Sequence, residues 1–194
     1  MGEDVLLIVQ LGRWRRAFEV DIPTPCEANE LPNGGMLTLP KNQREGDLPS
    51  VAIVTGAHDG IECLLWKAGI DTEEFTNPGG TGRVHLYRGS GVPTVDGAGP
   101  GTRIDEQTPL ETALYVADGD GPAPLFAYDL LALSCQGMDY DREVQYLPAL
   151  AYWRELVEYA DGGGRIFASH WSHAYMRIGG DENPFNSTAT WSDR

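Results

Sequence analysis

A strand–helix–strand pattern over residues 130–169 constrains this chain more than any other stretch. Leu130-Leu131-Ala132-Leu133 is a short continuous apolar run, the mark of a strand buried on both faces. From Tyr146 to Ala160, residues Leu147, Leu150, Ala151, Trp153, Leu156, Val157 and Ala160 recur at helical spacing. Pro148 suits the first helical turn and Gly162 the left-handed position after the last one. Gly162-Gly163-Gly164 then leads into Arg165-Ile166-Phe167-Ala168-Ser169, read as a second short buried strand. Strands joined by a helix pair in parallel, and parallel strands covered by helices define an α/β fold.

The same pattern opens earlier in the chain. Val51-Ala52-Ile53-Val54-Thr55 reads as a fully buried strand, Gly56-Ala57-His58-Asp59-Gly60 as a tight turn, and Ile61–Ala68 as a helix stopped by Gly69. Ile61, Leu64, Leu65 and Ala68 are expected on its buried face. Arg83–Tyr87 alternates as a strand does, and Asp71–Gly82 reads as polar loop. Gly89 to Gly121 is rich in Gly and Pro, with one apolar patch at Leu114-Tyr115-Val116; loops of this length are often functional.

Ahead of this unit, Val5–Leu11 and Trp14–Ile22 flank Gly12 and read as a β-hairpin, which is marginal in isolation. It must pack on the rest of the chain or close a domain lying upstream. The expected division is a hairpin over 1–23, a surface linker over 24–50, and an α/β domain over 51–194 that is truncated at its C-terminus.

Composition narrows the function classes. A formal charge of −15 leaves no basic stripe for nucleic acid, and Arg13, Arg15 and Arg16 read as a solvated strand face. No apolar run has the ~20 residues that a bilayer span needs, and no signal peptide opens the chain. Three cysteines, Cys26, Cys63 and Cys135, leave one disulfide plus a free thiol, or three free thiols, equally open.

Two strand ends can carry chemistry. At Ser134-Cys135-Gln136-Gly137, small residues leave backbone N–H groups facing a crevice where an anion or oxyanion could sit, and Cys135 is a candidate nucleophile. The plain alternative is a buried cysteine that packs as a small hydrophobe. At Ala168-Ser169-His170-Trp171-Ser172, small residues stand two positions either side of His170, as in a nucleophile elbow. His170 would then act as a base, with Ser169 and Ser172 as alternative nucleophiles. A packed turn is the plain reading here as well. Glu62 is a further catalytic candidate. Gly56, Asp59, Gln136, Gly137 and Trp171 are candidate ligand contacts. A weaker alternative uses His170, His173 and Asp59 to hold a divalent metal such as zinc; otherwise no cofactor is expected.

Tyr128–Gly137, followed by a helix and Gly163–His170, resembles the class I glutamine amidotransferase-like fold, particularly its ThuA-like branch. That resemblance covers about residues 51–175 and implies a flavodoxin-like, mostly parallel sheet. His170 stands where an amidotransferase carries its cysteine, which argues against glutamine hydrolysis. The chain as a whole is similar to secreted or lipoprotein-type bacterial proteins of myxobacterial kind. Gly12-Arg13-Trp14-Arg15-Arg16, Leu39–Asp47, Glu62–Leu65, Glu74–Val84 and Phe167–Trp171 carry that similarity. In that group a carboxypeptidase-regulatory-like β-sandwich precedes the α/β domain, which implies that the hairpin is the end of such a sandwich. The resemblance further implies an extracellular or cell-envelope location, a small molecule or envelope component as partner, and a binding or structural module. A hydrolase using the Cys135/His170 crevice is the alternative.

Overall fold

The computed structural model describes residues 2–31, 37–56, 58–89, 104–135 and 148–190. Strands β1 (Gly2–Leu11) and β2 (Trp14–Ile22) form the antiparallel hairpin. The rest is built on a five-stranded parallel sheet of order β4-β5-β3-β6-β7, with β3 (Val51–Thr55), β4 (Phe75–Thr76), β5 (Val84–Arg88), β6 (Leu130–Leu133) and β7 (Arg165–Ala168). Helices α1 (Ile61–Lys67), α2 (Pro148–Asp161) and α3 (Ala174–Arg177) accompany it.

Alternation along the central strands sorts the core into two layers. Ala52, Val54, Leu131 and Leu133 face Trp153, Leu156 and Tyr159 of α2 and Tyr175 of α3. Val51, Ile53, Leu86 and Ala132 face Ile61, Ile70, Phe75 and Leu48 on the other side. With both faces covered, every residue of β3 is buried, as its unbroken apolar run requires.

Both longer connections end in the same helix stop. After α2, Gly163 takes φ +93°, its N–H bonds Ala160, and the N–H of Gly164 bonds Tyr159. After α1, Gly69 takes φ +109°, its N–H bonds Trp66, and Ile70 bonds Leu65. These are Schellman closures, which need a left-handed residue that glycine adopts without strain. The left-handed position after α2 is thus Gly163, one residue beyond the Gly162 expected from sequence.

Several expectations are corrected by the packing. On α1 the buried pair is Ile61 and Glu62, while Leu64 is 59% exposed. A helix of two turns at a strand end turns one edge to the sheet and another to the crevice, so an acidic residue is buried where an apolar one was expected. Strand β7 is not buried: among the described residues it pairs with β6 alone, and Phe167 is 50% exposed on this edge. The polar stretch 71–82 contains β4, whose Phe75 is fully buried. Within the long loop, Ile104, Leu114 and Tyr115 are buried and Val116 is exposed; residues 90–103 lie outside the described residues. So do Tyr146 and Leu147 of the expected helix.

Part of the expected linker is also built in. Asn42 and Leu48 are buried, Trp14 Nε1 donates to the Pro40 carbonyl, and Arg15 and Asp47 exchange backbone hydrogen bonds of 2.9 and 2.8 Å. The arginines read as a solvated face keep much of that exposure at Arg13 and Arg15, yet all three also form ion pairs: Arg13 reaches Asp129 at 3.1 Å, Arg15 reaches Asp47 at 3.9 Å, and Arg16 reaches Glu45 at 2.8 Å. These contacts dock the hairpin on the α/β unit.

Candidate functional site

The chain leaves β3, builds β5 on one side of it, and then crosses to lay β6 and β7 on the other. Such a reversal opens a crevice at the carboxyl ends of the strands, because the flanking connections run off in opposite directions. Three turns meet there: His58-Asp59 after β3, Ser134-Cys135 after β6, and Ser169-His170 after β7.

Asp59 ties the three together. Its Oδ1 accepts the Cys135 backbone N–H at 2.5 Å, and its Oδ2 accepts the Ser169 hydroxyl. The His58 N–H donates to the Cys135 carbonyl at 3.2 Å. Gly56 permits this approach, since a Cβ there would lie 2.2 Å from the Cys135 carbonyl oxygen. Gly56 therefore acts as a packing position rather than as an evident ligand contact.

Cys135 and His170 form a close thiol–imidazole pair, with Sγ 3.0 Å from Nδ1. His170 has φ +46°, a left-handed conformation that is costly for a residue with a Cβ. It sits at a strand-to-helix turn, as the small residues flanking it in sequence lead one to expect. Ser169 at φ −104° precedes it, and a 3-10 turn over His170–His173 runs straight into α3. Ser172, the other serine considered as a nucleophile, is buried and donates to the Ser134 carbonyl at 2.8 Å; it pins the turn. His173 Nδ1 lies 2.8 Å from the His170 carbonyl, and Trp171 packs between the two imidazoles at centroid distances of 5.4 and 5.8 Å.

Cys135 is 1% exposed and His170 is exposed, so the imidazole forms the outer member of the pair. Glu62 is 9% exposed, and its Oε2 meets no hydrogen-bond partner among the described residues. Burial raises its pKa above the ordinary glutamate value, and the nearby charge of Asp59 raises it further.

Two expectations change at this point. The Cys135 N–H is not a free anion donor, because it is committed to Asp59; Gln136 and Gly137 lie outside the described residues. His170, His173 and Asp59 do not converge as metal ligands: their polar atoms turn to Cys135, to the His170 carbonyl, and to Cys135 and Ser169 respectively. Among the described residues no three His, Cys, Asp or Glu side chains gather to hold a metal ion. The three cysteines are free thiols. No helix among the described residues is long and apolar enough to cross a membrane.

Fold and crevice together define an α/β protein with a thiol–imidazole pair at the carboxyl edge of a parallel sheet. Compared with protein-family models, curated proteins and solved structures, the chain matches none.

Proposed function

We propose that this crevice is the site of a thiol-dependent hydrolase, with Cys135 as nucleophile and His170 as base. The observation that carries the proposal is the 3.0 Å Sγ–Nδ1 contact made by an imidazole held at φ +46°. A strained residue that faces a thiol across a strand-end crevice is the arrangement an activated nucleophile needs. His170 Nδ1 takes the thiol proton and the thiolate adds to an acyl carbon. The imidazolium returns the proton to the leaving group as the thioester forms. Water, deprotonated by the same imidazole, then releases the acid and restores the thiol. Asp59 positions Cys135 and Ser169 and touches no reacting atom. The Cys135 N–H is already given to Asp59, so it does not serve the oxyanion.

The amidotransferase-like, flavodoxin-like assignment belongs to the same proposal. Setting the two-residue β4 aside, the four longer strands run second-first-third-fourth in chain order, which is the start of the flavodoxin order. The sandwich origin of the hairpin and the envelope or extracellular location rest on the sequence resemblance alone.

One observation favours a second reading, a non-catalytic binding module: the thiol is 1% exposed beneath the imidazole. Alkylation separates the two. In a Cys26→Ser/Cys63→Ser background, iodoacetamide labelling of Cys135 is followed by mass spectrometry, alongside hydrolysis of a panel of p-nitrophenyl esters and anilides. The hydrolase reading expects His170→Ala to slow labelling near neutral pH by about tenfold or more, and Cys135→Ala to abolish turnover. Labelling unaltered by His170→Ala, with no turnover from the parent, leaves the binding module.

A further inference from the structure

A polar recess lies at the opposite end of the sheet from the crevice. It is open to solvent, has a volume of about 520 Å3 and is lined by Arg13, Arg15, Arg83, Gln10, Gln43 and Asp47, among others. Arg83 stands immediately before β5 and Asp47 shortly before β3, so the cavity lies at the amino ends of the parallel strands, beneath the hairpin turn. Its size falls in the range of small-ligand sites.

Three carboxylates, Asp129, Asp47 and the buried Glu74, stand beside the three guanidinium groups without using up their donors. Arg13 gives Nε to Asp129 at 3.1 Å while its side chain remains 74% exposed. Among the described residues Arg15 has one ion-pair partner, Asp47 at 3.9 Å, and that carboxylate is 73% exposed. Arg83 spends Nε on the Leu48 carbonyl at 3.2 Å, and its terminal nitrogens meet no acceptor among the described residues. Three guanidinium groups thus border one space in a chain whose net charge is −15. Guanidinium forks match carboxylate and phosphate oxygens in pairs, which makes them the favoured group for polyanion recognition.

The walls are fixed in advance. Arg15 and Asp47 exchange backbone hydrogen bonds, and a Cβ on Gly46 would lie 2.3 Å from the Arg15 carbonyl oxygen. Glu74 anchors the floor by accepting from the Gln43 backbone, the Gln43 side chain and the Arg83 backbone at 2.9, 2.9 and 3.1 Å. The hairpin and the sheet are therefore locked where the arginines project. The backbone that carries the arginines therefore needs no reordering when a ligand enters.

We propose that this cavity binds a small ligand carrying two or more anionic oxygen groups, phosphate or carboxylate. The site is independent of the thiol–imidazole crevice. Calorimetric titration of the full chain with inorganic pyrophosphate and, separately, with citrate at fixed ionic strength tests it. Saturable binding of either probe is expected, and the one bound identifies the source of the oxygens. Arg83→Gln and Arg15→Gln should each weaken it by about tenfold or more, while Arg154→Gln, remote and paired with Glu182, leaves it unchanged. Should Arg83→Gln fail to fold, Arg15→Gln carries the test alone. Heats no larger than those of sodium chloride at the same ionic strength, or equal affinity in all three variants, overturn the proposal.

Discussion

Replacing Asp59 by alanine should loosen the crevice without unfolding the protein. The carboxylate accepts the backbone N–H of Cys135 at 2.5 Å and the hydroxyl of Ser169. Cys135 is 1% exposed, so its orphaned N–H would incur the desolvation cost of an unpaired buried donor, about 1–3 kcal/mol. The Ser169 hydroxyl already lies 3.4 Å from the Leu133 carbonyl and can turn to it, so its loss adds at most about 1 kcal/mol. Asp59 itself is half-buried, which lets water replace part of what is lost. The expected total is about 1–3 kcal/mol, well inside the ~5–15 kcal/mol typical of a domain. Asp59→Asn keeps one acceptor and turns an amide donor toward the other donor, so it should fall between wild type and alanine. Urea unfolding gives the energy, and iodoacetamide labelling of Cys135 reports the opening of the strand end. A shift below about 0.5 kcal/mol, with labelling unchanged, would refute the role given to Asp59.

Other perturbations probe separate parts of the structure. Leu156, fully buried under the sheet, should cost about 2–5 kcal/mol as Leu156→Ala in urea unfolding, the spread reflecting how far α2 can settle into the cavity. Gly163→Ala places a Cβ at φ +93° with no steric neighbour, so it should cost only the conformational term, about 1–2 kcal/mol in thermal unfolding. Glu62 has its pKa raised by burial and then by Asp59, so the folded chain keeps a proton that the unfolded chain has lost as pH climbs above 4.5. Stability falls as pH rises from 4.5, and Glu62→Gln should flatten that fall and gain on wild type above 4.5 in matched melts.

The buried strands were legible because burial on both faces leaves an unbroken apolar run, as in Val51–Thr55 and Leu130–Leu133. The same logic misread β7. Arg165-Ile166-Phe167-Ala168 has the composition of a covered strand, yet it lies at the sheet edge with alternate residues open to solvent. Strand order decides that difference, and strand order is not a local property. β4 was missed for a related reason: two residues leave no period to detect, and Phe75 is buried by the elements around it. Helix α1 shows the opposite error. Its apolar periodicity suggested one face, but only Ile61 and Glu62 are buried, since a helix of two turns follows its tertiary neighbours rather than its own pattern.

The members of the crevice could be named from sequence, whereas their pairing could not. Each sits directly after a strand, and a parallel sheet gathers all such positions along one edge. Which of them touch depends on which strands lie side by side. β3 and β6 are neighbours, so Asp59 meets the backbone of a residue 76 positions later. β6 and β7 are neighbours, so Cys135 meets His170 across 35 positions. The left-handed backbone of His170 follows from this contact and from the short turn into α3; the same sequence in a relaxed turn would have no reason to hold it. Strain at that one residue would therefore link the fold to the proposed chemistry. His170→Gly would relieve the backbone and remove the base together, whereas His170→Asn keeps a side chain that still tolerates φ +46° while removing the proton acceptor. If His170→Asn retains wild-type stability but loses the rapid labelling of Cys135, the imidazole is there for the thiol; if labelling persists, the strained turn serves packing alone.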